Sequence, residues 1–158
     1  MRVEVRPASE EDFEALLRLN DAVQAVHVEL YPDDFKKVVD RSAARDFFAT
    51  RLASIAIAEL DGAPSGYVWY EFLTRPDTLF SLARPCIYVH HLSVAPSARR
   101  RGVGAALMRY VEQRAAAESL SEIALDVWAA NHAALRFFGA QGYVNIRATL
   151  LKKLGRPN

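Results

Sequence analysis

Residues 87–107 read Ile-Tyr-Val-His-His-Leu-Ser-Val, then Ala-Pro-Ser-Ala, then Arg-Arg-Arg-Gly-Val-Gly-Ala-Ala-Leu. The first block, Ile87 to Val94, is apolar and rich in β-branched residues, which predicts a largely buried strand. Pro96 ends it. Gly102 opens a helical pattern in which Val103, Ala106, Leu107, Tyr110 and Val111 share one face at 3.6-residue spacing. The order is therefore strand, short basic turn, glycine-bearing helix start.

The physics of that turn is specific. The first N–H groups of a helix have no partner within it and sit at the positive end of the macrodipole. Glycines at 102 and 104 remove the Cβ atoms that would keep a ligand off the backbone. Arg99, Arg100 and Arg101 add positive charge beside it. A phosphate or pyrophosphate suits such a site. Two familiar phosphate motifs do not fit: no Lys follows either glycine, as a Walker A loop requires, and Leu107 and Met108 stand where a dinucleotide fingerprint would place its third glycine.

What does fit is Arg99-x-x-Gly102-x-Gly104, between that strand and that helix. It resembles the acetyl-CoA pyrophosphate loop of the GNAT superfamily of N-acetyltransferases, Gln/Arg-x-x-Gly-x-Gly/Ala. A second stretch agrees. Members of that family carry a pattern like Asn-x-x-Ala-x-x-Phe-Tyr-x-x-x-Gly-Phe on a short helix, and here Asn131, Ala134, Phe137 and Gly142 match in register. Asn131 also has a local reason to stand there, since Asn caps helices well.

Composition sets bounds. At 158 residues the chain is long enough for one domain with a real core. A net charge of +1 gives no global field to hold nucleic acid, and the basic triplet is local. The single cysteine, Cys86, excludes an internal disulfide and a cysteine metal cluster. The N-terminus has no apolar signal core and no stretch is long enough to span a bilayer, so the expected location is cytoplasmic.

Taken in order, Val3 to Arg6 alternates as a short strand. Ser9 with Asp12 forms a weak capping box ahead of a first helix reaching to about Val26, with Phe13, Leu16, Leu17, Leu19 and Val23 as its stripe. A second helix is expected from about Ser42 to Leu52. Ile55 to Leu60 and Gly66 to Leu73 form a hairpin around Asp61-Gly62-Ala63-Pro64. Arg75 to Pro85 reads as a loop. Glu122 to Val127 is β-rich, Asn131 to Gly139 is a short helix, and Asn145 to Leu154 contains a final strand. This order predicts an α/β fold: a mixed, mostly antiparallel sheet with helices on both faces, in one domain over residues 1–158. It also matches the GNAT order along nearly the whole chain.

The resemblance carries further expectations. It implies acetyl-CoA as cosubstrate and direct attack by a primary amine, without an acyl-enzyme. Leu92, Ser93 and Val94 would offer backbone groups to the pantetheine and the thioester carbonyl. The loop Arg99, Arg100, Arg101, Gly102, Val103, Gly104 and Ala105 would hold the pyrophosphate, and Asn131 would contact the pantetheine arm. Phe138 stands at the cofactor-side position where the family often has a Tyr that protonates the departing thiolate. A phenyl ring donates no proton, so two readings stay open: thiolate leaves with help from water, its parent thiol having a pKa near 8.5, or the domain is a non-catalytic acyl-CoA-binding or regulatory module. Cys86 reads as a small apolar residue rather than a nucleophile.

The base is expected at His90, where many relatives have a Glu two residues before the position of Leu92. Its unperturbed pKa near 6.5 suits deprotonation near neutrality. Successive strand residues point to opposite faces, so His90 and His91 share the cleft only if a bulge intervenes. Glu71 and Tyr88 are further cleft candidates, and no metal site is expected. The acceptor, an amine on a small molecule or a protein, would enter among the first two helices and the Arg75–Pro85 loop, near His27, Glu29, Tyr31, Asp33 and Asp34. A homodimer is common among such relatives; nucleic acid and membrane are not expected partners.

Overall fold

A computed structural model describes residues 2–154. Two compact units make up the chain, Met1–Asp126 and Val127–Asn158. The first holds a five-stranded sheet in sequence order: β1 (Val3–Pro7), β2 (Ile55–Leu60), β3 (Ala63–Arg75), β4 (Arg84–Val94) and β5 (Ile123–Leu125). Neighbours are antiparallel except β4 and β5, which run parallel and pair only over Ile87–Val89 and Ile123–Leu125. The sheet is thus mixed and mostly antiparallel, as expected.

Its helices follow from the apolar stripes. In α1 (Phe13–Leu30), Phe13, Leu16, Leu17 and Leu19 are buried, and α2 (Arg41–Ala49) contributes Phe48. Both pack on the face of the sheet that carries Tyr67 and Trp69. In α3 (Val103–Ala117), the buried residues are Val103, Ala106, Leu107, Met108, Val111 and Ala115, at helical spacing. Val103 and Leu107 lie against Gly66, which pairs with Val94 on the opposite face. Covered on both sides, β2 reads as a continuous apolar run, Ile-Ala-Ile-Ala before Glu59, all four fully or almost fully buried. The expected capping contact is present: the Ser9 N–H donates to Asp12 Oδ2 at 2.8 Å. Asp12 also takes a bidentate grip from Arg6, at 2.8 Å for each bond, and Arg6 holds its carboxyl below the usual carboxylate range.

Three expectations need correction. The first helix runs on to Leu30, because nothing between Val26 and Pro32 breaks it. The hairpin joining β3 and β4 is longer than expected, since both strands continue to Arg75 and Arg84. The second unit contains α4 (His132–Ala140) but, among the described residues, no final strand. The alternation Val144, Ile146, Ala148, Leu150 is there in sequence, yet these large side chains are 79, 76 and 93% exposed at Val144, Ile146 and Leu150. Alternation makes a strand only when a neighbouring edge supplies the ladder, and among the described residues no strand pairs with this segment.

Candidate active site

Past Val89, β4 keeps its antiparallel neighbour β3 but has no strand on its other side among the described residues. Leu92 and Val94 therefore turn their backbone groups to an outer edge with no strand beside it among the described residues. Its side chains do different work: Ser93 is buried, and its hydroxyl donates to the Leu19 carbonyl of α1 at 2.7 Å. That bond ties the strand to the helix. The Ser93 backbone is turned toward β3, where Ser93 pairs with Tyr67 and its carbonyl faces Gly66. The expected Ser93 backbone contact to a ligand is therefore not available, and Leu92 and Val94 hold the outward groups. The outer edge runs directly into the basic turn, where Arg99 Nε donates to the Val94 carbonyl at 3.4 Å.

The turn itself is left-handed twice. Arg100 has φ of 62° and Gly102 has φ of 83°. The Gly102 conformation is one that only glycine adopts freely. Arg100 has no such excuse, and a non-glycine residue held there is a strained backbone of the kind that clusters at functional sites. Alternation of handedness turns successive N–H groups toward one concave spot, a nest for anions. Gly102 is the N-cap of α3, so the free amides of Val103, Gly104 and Ala105 point the same way. Arg99, Arg100 and Arg101 are all exposed beside it, with Arg101 leaning to 3.9 Å from Asp61. Such a surround of amides and guanidinium groups suits an anion.

On the other face of β4, the chain departs from simple alternation. Trp69 pairs with His91 and Tyr70 with Val89, so His90 is the extra residue of a β-bulge. Paired residues share a face, which places Trp69, Glu71, Tyr88 and His91 together. The bulge adds His90 to them. Its ring stacks on Trp69, centroids 4.1 Å apart and planes 18° apart, and its Nε2 lies 2.8 Å from Glu71 Oε2. Both histidines therefore occupy one face, the exception that strand alternation allows.

Their surroundings differ. The His91 ring packs against Trp69 and Phe47, and its Nδ1 lies 3.0 Å from the hydroxyl of fully buried Tyr67, which itself donates to Asn20 Oδ1. Burial, reinforced by His27, His90 and Arg51, pushes His91 down to about 4, so it is neutral near pH 7. His90 is half-buried, with a quarter of its side chain exposed. The neighbouring Tyr88 donates to Asp126 Oδ2 at 2.6 Å. Arg51 lies over the Phe47 ring at 3.9 Å.

Glu71 and Asp126 are the carboxylates that bond to His90 and Tyr88 at this face. His27, on the last turn of α1, stacks on Phe35 and contributes to the lowering of His91. Trp69 as the platform for His90 was not legible beforehand; its signal would have been the register across the hairpin. The Cys86 thiol is pushed up, mainly by burial and then by Glu122, which suits an inert side chain. In the second unit, Asn131 accepts from the Ala134 N–H at 3.0 Å and caps α4 as expected. Phe138 is half-buried, its ring 5.1 Å from Phe137 and 5.4 Å from Tyr143.

Residues 19–143 match the Acetyltransferase (GNAT) family. The chain belongs to the GNAT family. The Escherichia coli (strain K12) peptidyl-lysine N-acetyltransferase YiaC is 46% identical over 50 residues, a match spanning 32% of this chain and 31% of that protein. The GNAT fold itself recurs in solved structures. A tetramutant of the BH1408 protein from Bacillus halodurans superposes with a TM-score of 0.83 at 21% identity, over 96% of this chain and 99% of that one. The aminoglycoside N-acetyltransferase AAC(6')-Iy in complex with CoA gives a TM-score of 0.72 at 19% identity, over 97 and 95% of the two chains.

Proposed function

We propose that this chain is an acetyl-CoA-dependent N-acetyltransferase, acting on a primary amine of a small molecule or a protein. The observation that carries the reading is the succession of an outer β4 edge with no strand beside it among the described residues, a left-handed basic turn, and the amide-bearing start of α3. Such a run suits an elongated ligand with an amide-bearing arm and a pyrophosphate. The backbone of Leu92 and Val94 would bond the arm and orient the thioester, while Arg99 to Ala105 would hold the anion. The names of its relatives support amine acceptors of both kinds, since one is a peptidyl-lysine acetyltransferase and another acts on aminoglycosides. His90 is the proton acceptor in this reading and His91 a buried structural neighbour. Asn131 and Phe138 are assigned to the cofactor side by resemblance. No helix among the described residues is long and apolar enough to cross a membrane, and we take the enzyme to work in the cytoplasm.

The test combines binding and turnover. Acetyl-CoA at 100 times its Kd should stabilise the fold by about 2.7 kcal/mol, visible as a rise in Tm. Gly104→Val, which places a branched side chain among the α3 amides, should remove that rise while the unliganded protein still melts cooperatively. Amine-dependent release of free CoA thiol across an acceptor panel should follow. Binding without any release would favour the acyl-CoA-binding module, the reading that Phe138 supports.

A further inference from the structure

The hydrogen bond between His90 and Glu71 spans the β3–β4 hairpin and involves the half-buried ring of the bulge. We propose that Glu71 is a positioning residue that holds His90 as its Nε2–H tautomer, so that Nδ1 is the atom that takes the proton from the attacking amine. The inference rests on the acetyl-transfer reading and adds the orienting group and the reacting nitrogen.

The argument is one of hydrogen-bond inventory. An ionised carboxylate only accepts, so at 2.8 Å from Glu71 Oε2 the Nε2 atom must carry a hydrogen. The neutral ring then has its lone pair on Nδ1. Stacking on Trp69, with planes 18° apart, fixes the ring plane as well. With one nitrogen tethered and the plane set, the direction of the Nδ1 lone pair is fixed too. The groups around this ring are Glu71 on β3, Tyr88 and His91 on β4, Asp126 held by Tyr88 after β5, and Arg51 and His27 acting from the helical side through His91. Glu71 is the carboxylate in direct contact.

The step balances without another reagent. The neutral amine nitrogen bonds to the thioester carbonyl carbon. In the resulting adduct the nitrogen is positively charged and passes one proton to Nδ1. The C–S bond breaks with its electron pair going to sulfur. The thiolate takes up a proton from water, and the imidazolium returns its own to solvent. Glu71 opposes the imidazolium charge across 2.8 Å while it lasts.

The experiment uses the intact enzyme and its Glu71→Gln and His90→Ala variants. Nitrogen NMR of isotope-labelled histidine should report the Nε2–H tautomer for His90 in the parent. Glu71→Gln offers both a donor and an acceptor, so the Nδ1–H tautomer should become populated. Turnover should then fall roughly 10- to 100-fold with KM unchanged. In the His90→Ala background the same change should have no further effect on kcat. An Nδ1–H tautomer in the parent overturns the proposal. So does a Glu71→Gln variant that raises KM alone, which would make Glu71 a contact for the cationic acceptor. A parent without turnover on any amine overturns acetyl transfer and the role of Nδ1 together, while the tautomer measurement still decides the Glu71 contact.

Discussion

Ile87, Tyr88 and Val89, in the first half of β4, are bonded to β3 on one side and β5 on the other. After the bulge at His90, His91 to Val94, in the second half, pair with β3 alone among the described residues. One strand thus supplies both an anchored segment and an open one. An open strand edge is ordinarily a liability, because unpaired N–H and C=O groups invite another strand. Here it leads into a left-handed basic turn and the first amides of α3, which have no partner within the helix. Backbone that the fold does not satisfy is backbone that a ligand can. The bulge at His90 marks the border between the halves, and it also gathers two histidines on one face.

The sharpest way to break this comparison is to disturb the packing under the open half. An added Cβ at Gly66 would lie 2.8 Å from the Ser93 carbonyl oxygen and 2.9 Å from a Val103 methyl. Neither neighbour moves without shifting β4 or the start of α3. Gly66→Val should therefore cost about 3 kcal/mol or more in urea denaturation and weaken acetyl-CoA binding. At Gly62 an added Cβ meets nothing, and only the φ of 83° resists, so Gly62→Ala should cost about 1 kcal/mol. Equal losses at the two glycines would mean that the open half is not held from beneath.

The two histidines sharpen the contrast further. His91 sits at about 4 when folded and near 6.5 when unfolded. Between these values the unfolded chain binds a proton that the folded chain refuses. Stability should therefore fall as pH drops from about 6.5 to about 4, by at most about 3 kcal/mol, with no further loss from this group below that. His91→Gln should flatten the trend in urea midpoints taken across that window. His90→Ala should leave the trend in place and lower turnover by about 100-fold instead. A flattened trend in His90→Ala would reverse the assignment of the pair.

These contrasts also separate what was legible in the sequence from what was not. The strand, turn and helix of residues 87–107 were legible because each signal is local: a β-branched run, a proline, two glycines and a 3.6-residue stripe. The cap at Asn131 was legible for the same reason. The contact of Glu71 with His90 was not, because it bridges 19 residues and depends on where the β3–β4 register slips. Alternation within β4 cannot reveal a bulge whose cause lies opposite Trp69 and Tyr70. The expected strand after Asn145 failed in the converse way: the pattern is local, but the ladder it requires is not.

The smallest expected effect concerns Phe138, and it asks whether the open half of β4 suffices for catalysis without a tyrosine acid. At neutral pH the CoA thiolate is only one or two pKa units short of its proton, so about 2 kcal/mol of assistance is at stake. Phe138→Tyr adds one hydroxyl to a half-buried ring that already contacts Phe137 and Tyr143. If the ring edge faces solvent or a ligand, Tm should hold and kcat should rise by less than about tenfold, with acetyl-CoA affinity nearly unchanged. If the edge is enclosed by its aromatic neighbours, the hydroxyl lacks a partner and Tm should fall instead. Turnover and Tm measured on the same variant separate the two. Turnover in the Tyr variant alone, with none in the parent on any acceptor, would show that the open edge binds the thioester but does not complete its cleavage.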